Sequence, residues 1–355
     1  MSEVYTWEPS DAALAARYGL PVERIVRFDT NTSPEPPGFV SELLHERLPP
    51  LNEYPDSAYQ ALTEAAAAYA GVMPEEIIVG AGADEILDLV GKAFLPAGGA
   101  AIVPSPSYGL YPVITSQRAA RRLEVPRLGP TGRWALDVEA VVGALAMAQV
   151  VWLCDPNNPT GALEEPATVR RILDAAATLP DPPVVVVDEA YHEFTGRTVI
   201  PLRSRYPHLV VVRTLSKAFA LAGSRVGWAV AARPTIARLE RVRPAGSIST
   251  ISATLAARAL RDPARALARA AALAAERDWL APRLAAAGWT PYPSVTNFLL
   301  VPLGSIEAAD RAADRLLHQG LVPRTFPPDS RVADHLRLTV RSRPENERLL
   351  AAIVT

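Results

Sequence analysis

Of the 36 Lys+Arg residues in this chain only Lys92 and Lys217 are lysines, so its surface cations are written almost entirely as arginine. The two residues differ chemically. A lysine amine can lose its proton when its surroundings depress the pKa, and it can then attack a carbonyl carbon, whereas a guanidinium stays charged at any ordinary pH. Lys217, in the stretch LSKAFALAGSR, is therefore a candidate nucleophile, set against the plainer reading of a cation on a solvated helix face. Other groups fit for chemistry cluster in short stretches: Asp188 and Tyr191 in VVVVDEAY, Asn158 in DPNNPTG, Tyr108 in PSPSYG, and Gly82-Ala83-Asp84 after Gly80-Ala81.

Those residues follow short apolar runs, at 77–80, 100–106, 150–156, 184–191, 209–216 and 225–231. The runs are continuous rather than alternating, the pattern of strands covered on both faces. Helix-like segments lie between several of them, at 84–94 and 164–179, which predicts an α/β fold with a mostly parallel sheet and helices on both faces. In such a sheet ligands bind beyond the carboxyl ends of the strands, and the candidate residues fall at those ends. After about Arg241 the texture changes to a long Ala/Arg/Leu-rich helix over 252–287, strands at 295–301 and 335–340, and helices between and after them. This predicts a smaller α+β domain over 242–355, beside a large domain over 41–241, with residues 1–40 an arm belonging in part to the small one.

The bulk chemistry excludes several function classes. A net charge of −2 and a pI near 6.3 leave no basic footprint for nucleic acid. The single cysteine, Cys154, rules out an internal disulfide and sits in an apolar run, while five scattered histidines offer no metal-ligand spacing. The N-terminal MSEVYTWEPS lacks the basic and apolar regions of a signal peptide, and charges at Arg265, Arg269, Glu276, Arg277 and Asp278 interrupt the most apolar helical stretch. The expectation is a cytoplasmic protein with no metal, no nucleic-acid partner and no membrane partner.

The ordered stretches GAGADEIL, PSYGLY, DPNNPTG, VVDEAYHEF, RTLSKAFALAGSRVGW and LRLTV resemble the fold-type I aminotransferases that use pyridoxal 5′-phosphate, and among them the histidinol-phosphate aminotransferases. The similarity runs from about Asn52 to the C-terminus. It implies that Lys217 forms the Schiff base with the cofactor, a role closed to arginine. It implies that Asp188 pairs with the pyridinium nitrogen, keeping it protonated so that the ring can act as an electron sink. Tyr191 and Asn158 resemble the hydrogen-bond partners of the ring's phenolic oxygen. Gly82, Ala83 and Asp84, at the start of a predicted helix, together with Ser216 and Arg225, resemble the phosphate site. Tyr108 resembles the aromatic that stacks on the ring. Tyr54, in NEYPD, resembles the residue that reaches the phosphate of a neighbouring subunit, which implies a homodimer. Arg337 in LRLTV and Arg324 in LVPRTF resemble the residues that bind the substrate's anionic groups, with Asn158 beside them. The implied partners are a small-molecule amino donor and a 2-oxo acid acceptor, with L-histidinol phosphate and 2-oxoglutarate the leading pair.

The chain departs from the family pattern at its N-terminal arm. Asn31-Thr32-Ser33-Pro34 stands where an NENP-like segment is usual, and Trp7-Glu8-Pro9-Ser10 where a tyrosine motif is expected. Arg341 replaces a common glycine after LRLTV, as a further anion contact or a surface charge. Three alternatives stay open: a lyase like the threonine-phosphate decarboxylases, an aromatic amino acid aminotransferase with Trp7 lining its pocket, and a cofactor-binding protein without turnover. Carbon dioxide release would mark the lyase and glutamate formation the aminotransferase.

Overall fold

The valine-rich runs form the middle layer of the molecule. The computed structural model describes residues 9–43 and 50–354, so Trp7 and Glu8 lie outside the described residues. Among these residues the strands are β1 (Val26–Arg27), β2 (Ile77–Gly80), β3 (Ala100–Ser105), β4 (Arg121–Pro126), β5 (Val150–Cys154), β6 (Val184–Asp188), β7 (Leu209–Thr214), β8 (Gly227–Ala231), β9 (Phe298–Pro302), β10 (Leu321–Val322) and β11 (His335–Thr339). Seven of them make one sheet in the order β2-β8-β7-β6-β5-β3-β4. It is parallel except for β8, which runs antiparallel to both β2 and β7.

Burial on both faces explains the lack of alternation in the sequence. Along β6, Val185 and Val187 enter one apolar cluster while Val184 and Val186 enter another, and β5 divides in the same way between Val151 and Leu153 and the pair Val150 and Trp152. Helices cover both faces, among them Gly82–Phe94 on one side and Pro166–Ala177 on the other. A one-residue slip of β6 would exchange its two faces but keep both apolar, so register here is held by pairing with β5 and β7 rather than by a polar side.

The remaining strands pair away from this sheet. β9 and β11 are antiparallel partners, and β1, near the start of the chain, pairs in parallel with β10. A third apolar cluster joins Val26 and Phe28 to Leu299, Leu336, Leu338 and Leu349. The single helix expected over 252–287 is two helices, Thr250–Arg261 and Ala264–Ala286. The break falls at Asp262-Pro263, because proline disfavours the helical conformation of the residue before it, and Asp262 adopts φ −129°, ψ 75°. No helix among the described residues is long and apolar enough to cross a membrane.

Candidate active site

Parallel pairing brings the ends of β5, β6 and β7 to one edge of the sheet, with Asp188 lying between Cys154 and Val212 in register. Asp188 is the last residue of β6 and is buried. It accepts hydrogen bonds from the Tyr111 hydroxyl (2.9 Å) and from the Ala190 amide (3.1 Å). Burial nevertheless pushes its carboxyl up to about 6, against the pull of those two bonds, and nearby Asp84 adds to the rise. Tyr111, fully buried, is held flat against Trp152, with ring centroids 5.5 Å apart and planes within 2°. PSYGLY thus brings two tyrosines to this edge, Tyr108 bonded to Asp84 and Tyr111 to Asp188, where the sequence singled out only Tyr108. The helical spacing of the two in Leu110–Gln117 and the turn before it was the available signal.

Lys217 follows β7 in a tight bend closed by Ala220 N–H to its carbonyl (3.0 Å). Desolvation pushes its ammonium down to about 8, the positive Arg337 adds to this, and Asp84 and Asp188 oppose it. Its Nζ lies 5.8 Å from the centroid of the Tyr191 ring. Tyr191 is buried, and its oxygen accepts a hydrogen bond from Asn31 Nδ2 (2.9 Å). Asn158 Oδ1 accepts from Arg337 Nη1 (2.6 Å), and Arg337 Nη2 also donates to the Asp29 carbonyl. Arg337 therefore spans from β11 to the edge of the central sheet. Arg324 sits directly beside it, its backbone N–H and C=O both bonded to those of Arg337 at 3.0 Å.

The helix Gly82–Phe94 begins at the same edge. Its first-turn Asp84 accepts from the Tyr108 hydroxyl (3.0 Å) and from Arg225 Nη2 (3.0 Å). Two glycines make room for this approach. A Cβ on Gly82, where φ is +87°, would lie 2.7 Å from Arg225 Nη2, and one on Gly227 would lie 2.5 Å from the Ala83 nitrogen and 2.6 Å from the Gly82 carbonyl carbon. The result is a backbone cradle at a helix N-terminus, faced by the Arg225 guanidinium. This arrangement suits a phosphate group. Gly227→Ala is expected to destabilise the protein by about 1–3 kcal/mol, because the clash is with backbone that cannot rotate away. It should also weaken phosphate binding. Thermal unfolding with and without inorganic phosphate measures both, and a melting curve unchanged from wild type would refute the crowding argument.

The remaining expectations fall as follows. Ser216 is buried and hydrogen-bonded to Thr214 Oγ1 at 3.0 Å. Tyr54 is 96% exposed, well away from a surrounding core. Arg341 is not a surface charge: it is buried and paired with Glu345 at 3.1 Å, with a second contact to the Thr32 carbonyl at 3.4 Å. Asn31, Thr339 and Asn297 were missed. Asn31 and Pro34 are the two residues of the NENP-like pattern that this chain keeps, and the retained Asn31 was the signal.

The chain matches the model of the aminotransferase class I and II family over residues 26–353. It belongs to that family. Among its curated relatives, the histidinol-phosphate aminotransferase of Roseiflexus castenholzii is 36% identical over 95% of this chain and 91% of the relative. That of Nocardia farcinica is 38% identical over 94% and 87%. Among solved structures, the histidinol-phosphate aminotransferase of Sinorhizobium meliloti in complex with pyridoxal-5′-phosphate superposes with a TM-score of 0.87 at 26% identity, covering 98% of this aminotransferase and 95% of that chain. The fold-type I architecture expected from the sequence is the one these aminotransferases share with this structure.

Proposed function

We propose that this aminotransferase binds pyridoxal 5′-phosphate on Lys217 and moves the amino group of L-histidinol phosphate to 2-oxoglutarate. The observation that carries the reading is the convergence of a desolvated lysine, a buried carboxylate and a glycine-opened helix N-terminus at one edge of the sheet. The glycine cradle fits the cofactor's phosphate, and the buried Asp188 fits a protonated ring nitrogen. The cofactor supplies a carbonyl carbon for amino groups and a ring that spreads the negative charge left when a proton leaves the substrate carbon.

The chain's own residues would do the rest. Gly82, Ala83 and Asp84 at the helix start, with Ser216 and Arg225, would hold the phosphate. Tyr108 would lie against the ring, held by its bond to Asp84. Asp188, buried and oriented by Tyr111, would keep a proton on the ring nitrogen. Asn158 and Tyr191 would donate to the phenolic oxygen, and Arg337 and Arg324 would bind the substrate's anionic groups, with Asn158 alongside. Lys217 Nζ, with its pKa near neutrality, would accept the proton from the substrate carbon and return it at the cofactor, since proton transfer is fastest when the base's pKa lies near the working pH. Tyr54, exposed on one protomer, would complete the phosphate site of a second copy, making the working unit a homodimer.

The test is a single-turnover titration of the holoenzyme with histidinol phosphate, without any oxo acid. One equivalent of ketone product per site, followed by glutamate formation on adding 2-oxoglutarate, supports the assignment. Carbon dioxide release would replace it with the lyase reading. An unchanged visible spectrum would keep the cofactor and remove this donor.

A further inference from the structure

Asn31 is buried and adopts a left-handed conformation, φ +53°, in the segment that precedes Pro34. Each of its polar groups has a partner. Its amide donates to Thr339 Oγ1 (2.9 Å), its carbonyl accepts from Asn297 Nδ2 (3.1 Å), its Oδ1 accepts from Thr339 Oγ1 (3.1 Å), and its Nδ2 donates to the Tyr191 oxygen (2.9 Å). The Thr339 hydroxyl also lies 2.8 Å from the Phe28 carbonyl, so its one proton is shared between that carbonyl and Asn31 Oδ1. The amide nitrogen faces the Tyr191 oxygen.

We propose that Asn31 is a positioning residue that sets the direction of the Tyr191 hydroxyl proton and thereby the strength of the hydrogen bond Tyr191 gives to the cofactor's phenolic oxygen. The proposal rests on the reading above that Tyr191 faces that oxygen. A phenol has one proton to give. With Asn31 donating to the Tyr191 oxygen, the proton points away from Asn31, and donation into the oxygen strengthens the bond it makes onward. The charged and titratable groups facing Tyr191 are Arg337 from β11, Cys154 from β5, Asp188 from β6 and Lys217 beyond β7. Asn31 donates directly to the Tyr191 oxygen. Because Thr339 and Asn297 hold Asn31 from the C-terminal strands, the arm that departs from the family pattern still carries an orienting contact into the site.

The test uses the holoenzyme and follows the visible absorbance of the bound cofactor against pH. Asparagine, aspartate and glycine all tolerate this backbone conformation, so Asn31→Asp and Asn31→Gly are the variants, with thermal unfolding as the fold check. A donor to the phenolic oxygen stabilises its anionic form and lowers the midpoint, so losing the donor raises it. An aspartate can only accept, so it draws the Tyr191 proton to itself. The expected result is a midpoint about one pH unit higher in Asn31→Asp, a smaller rise in Asn31→Gly, and most of the Asp effect lost in a Tyr191→Phe background. An Asn31→Asp midpoint equal to wild type, or an Asp shift of equal size with and without the Tyr191 hydroxyl, would overturn the proposal. Should Tyr191→Phe itself leave the midpoint unmoved, the underlying placement of Tyr191 fails instead, and the proposal with it.

Discussion

Lys217→Arg is expected to abolish turnover while leaving the fold intact. Arginine keeps a positive charge in the bend after β7, where Asp84 and Asp188 already balance one, so the electrostatic setting of the cofactor-free protein changes little. What disappears is an amine that can be neutral near pH 8, and with it, in the role proposed above, both the attachment of the cofactor and the mobile proton. General acid–base contributions alone are typically about 10²–10⁴-fold, so the loss in kcat should be about 10⁴-fold or more. Single-turnover product formation measures it, with circular dichroism and melting temperature as fold controls. Activity within tenfold of wild type in a folded variant would remove Lys217 from its role. The remaining lysine does not offer a substitute, because Lys92 is paired with Asp88 at 2.6 Å on the outer part of its helix.

Asp188→Asn should move activity and stability in opposite directions. The carboxyl has a higher pKa in the folded protein than its ordinary 3.8, near 6, so the folded state binds its proton more tightly than the unfolded chain does. The resulting penalty is absent below about pH 4, grows as the pH rises toward 6, and is constant above that. Its size corresponds to roughly 3 kcal/mol. Asparagine removes the charge and can still meet both Tyr111 and the Ala190 amide. Cofactor-free Asp188→Asn is therefore expected to be more stable than wild type at pH 7–8, with the gain vanishing near pH 4, while kcat falls about 10²–10³-fold through loss of a preorganised charge. Tyr111→Phe is the intermediate case: without the hydroxyl the Asp188 pKa rises further, and the acid limb of the rate profile moves to higher pH. Denaturant titrations at pH 4 and pH 8 decide the first claim. A stability gain equal at both values would mean that packing, not desolvated charge, sets it.

Much of this site was legible because its residues sit at the ends of strands whose sequences announce themselves. Four successive valines before Asp188 leave little choice of structure, and the parallel arrangement they imply places Asp188, Asn158 and Lys217 at one edge. The antiparallel direction of β8 was not readable in the same way. Its pairing with β2 brings Gly227 against the Gly82 backbone, a contact between residues far apart in the chain. β4 escaped notice because RRLEVP, an edge strand, alternates charge with apolar residues and is mostly exposed. The break at Pro263 did carry a local signal, masked by the continuous Ala/Arg composition around it. Asn31 and Tyr111 were missed because their meaning lies in partners 160 and 77 residues away. Arg341 was misjudged as a possible surface charge for the same reason in reverse: nothing in LRLTVR announces that Glu345 and the Thr32 carbonyl will enclose it.

Asn31 and Thr339 are bonded to each other across 308 residues of chain. At about 5–20 residues per second of synthesis, Asn31 leaves the ribosome roughly 15–60 s before its partner is made. During that interval the strands carrying Asp188 and Lys217 can already pair. The arm, translated early, can be fully seated only after β11 exists, so the first part of this site to be written is among the last to be completed.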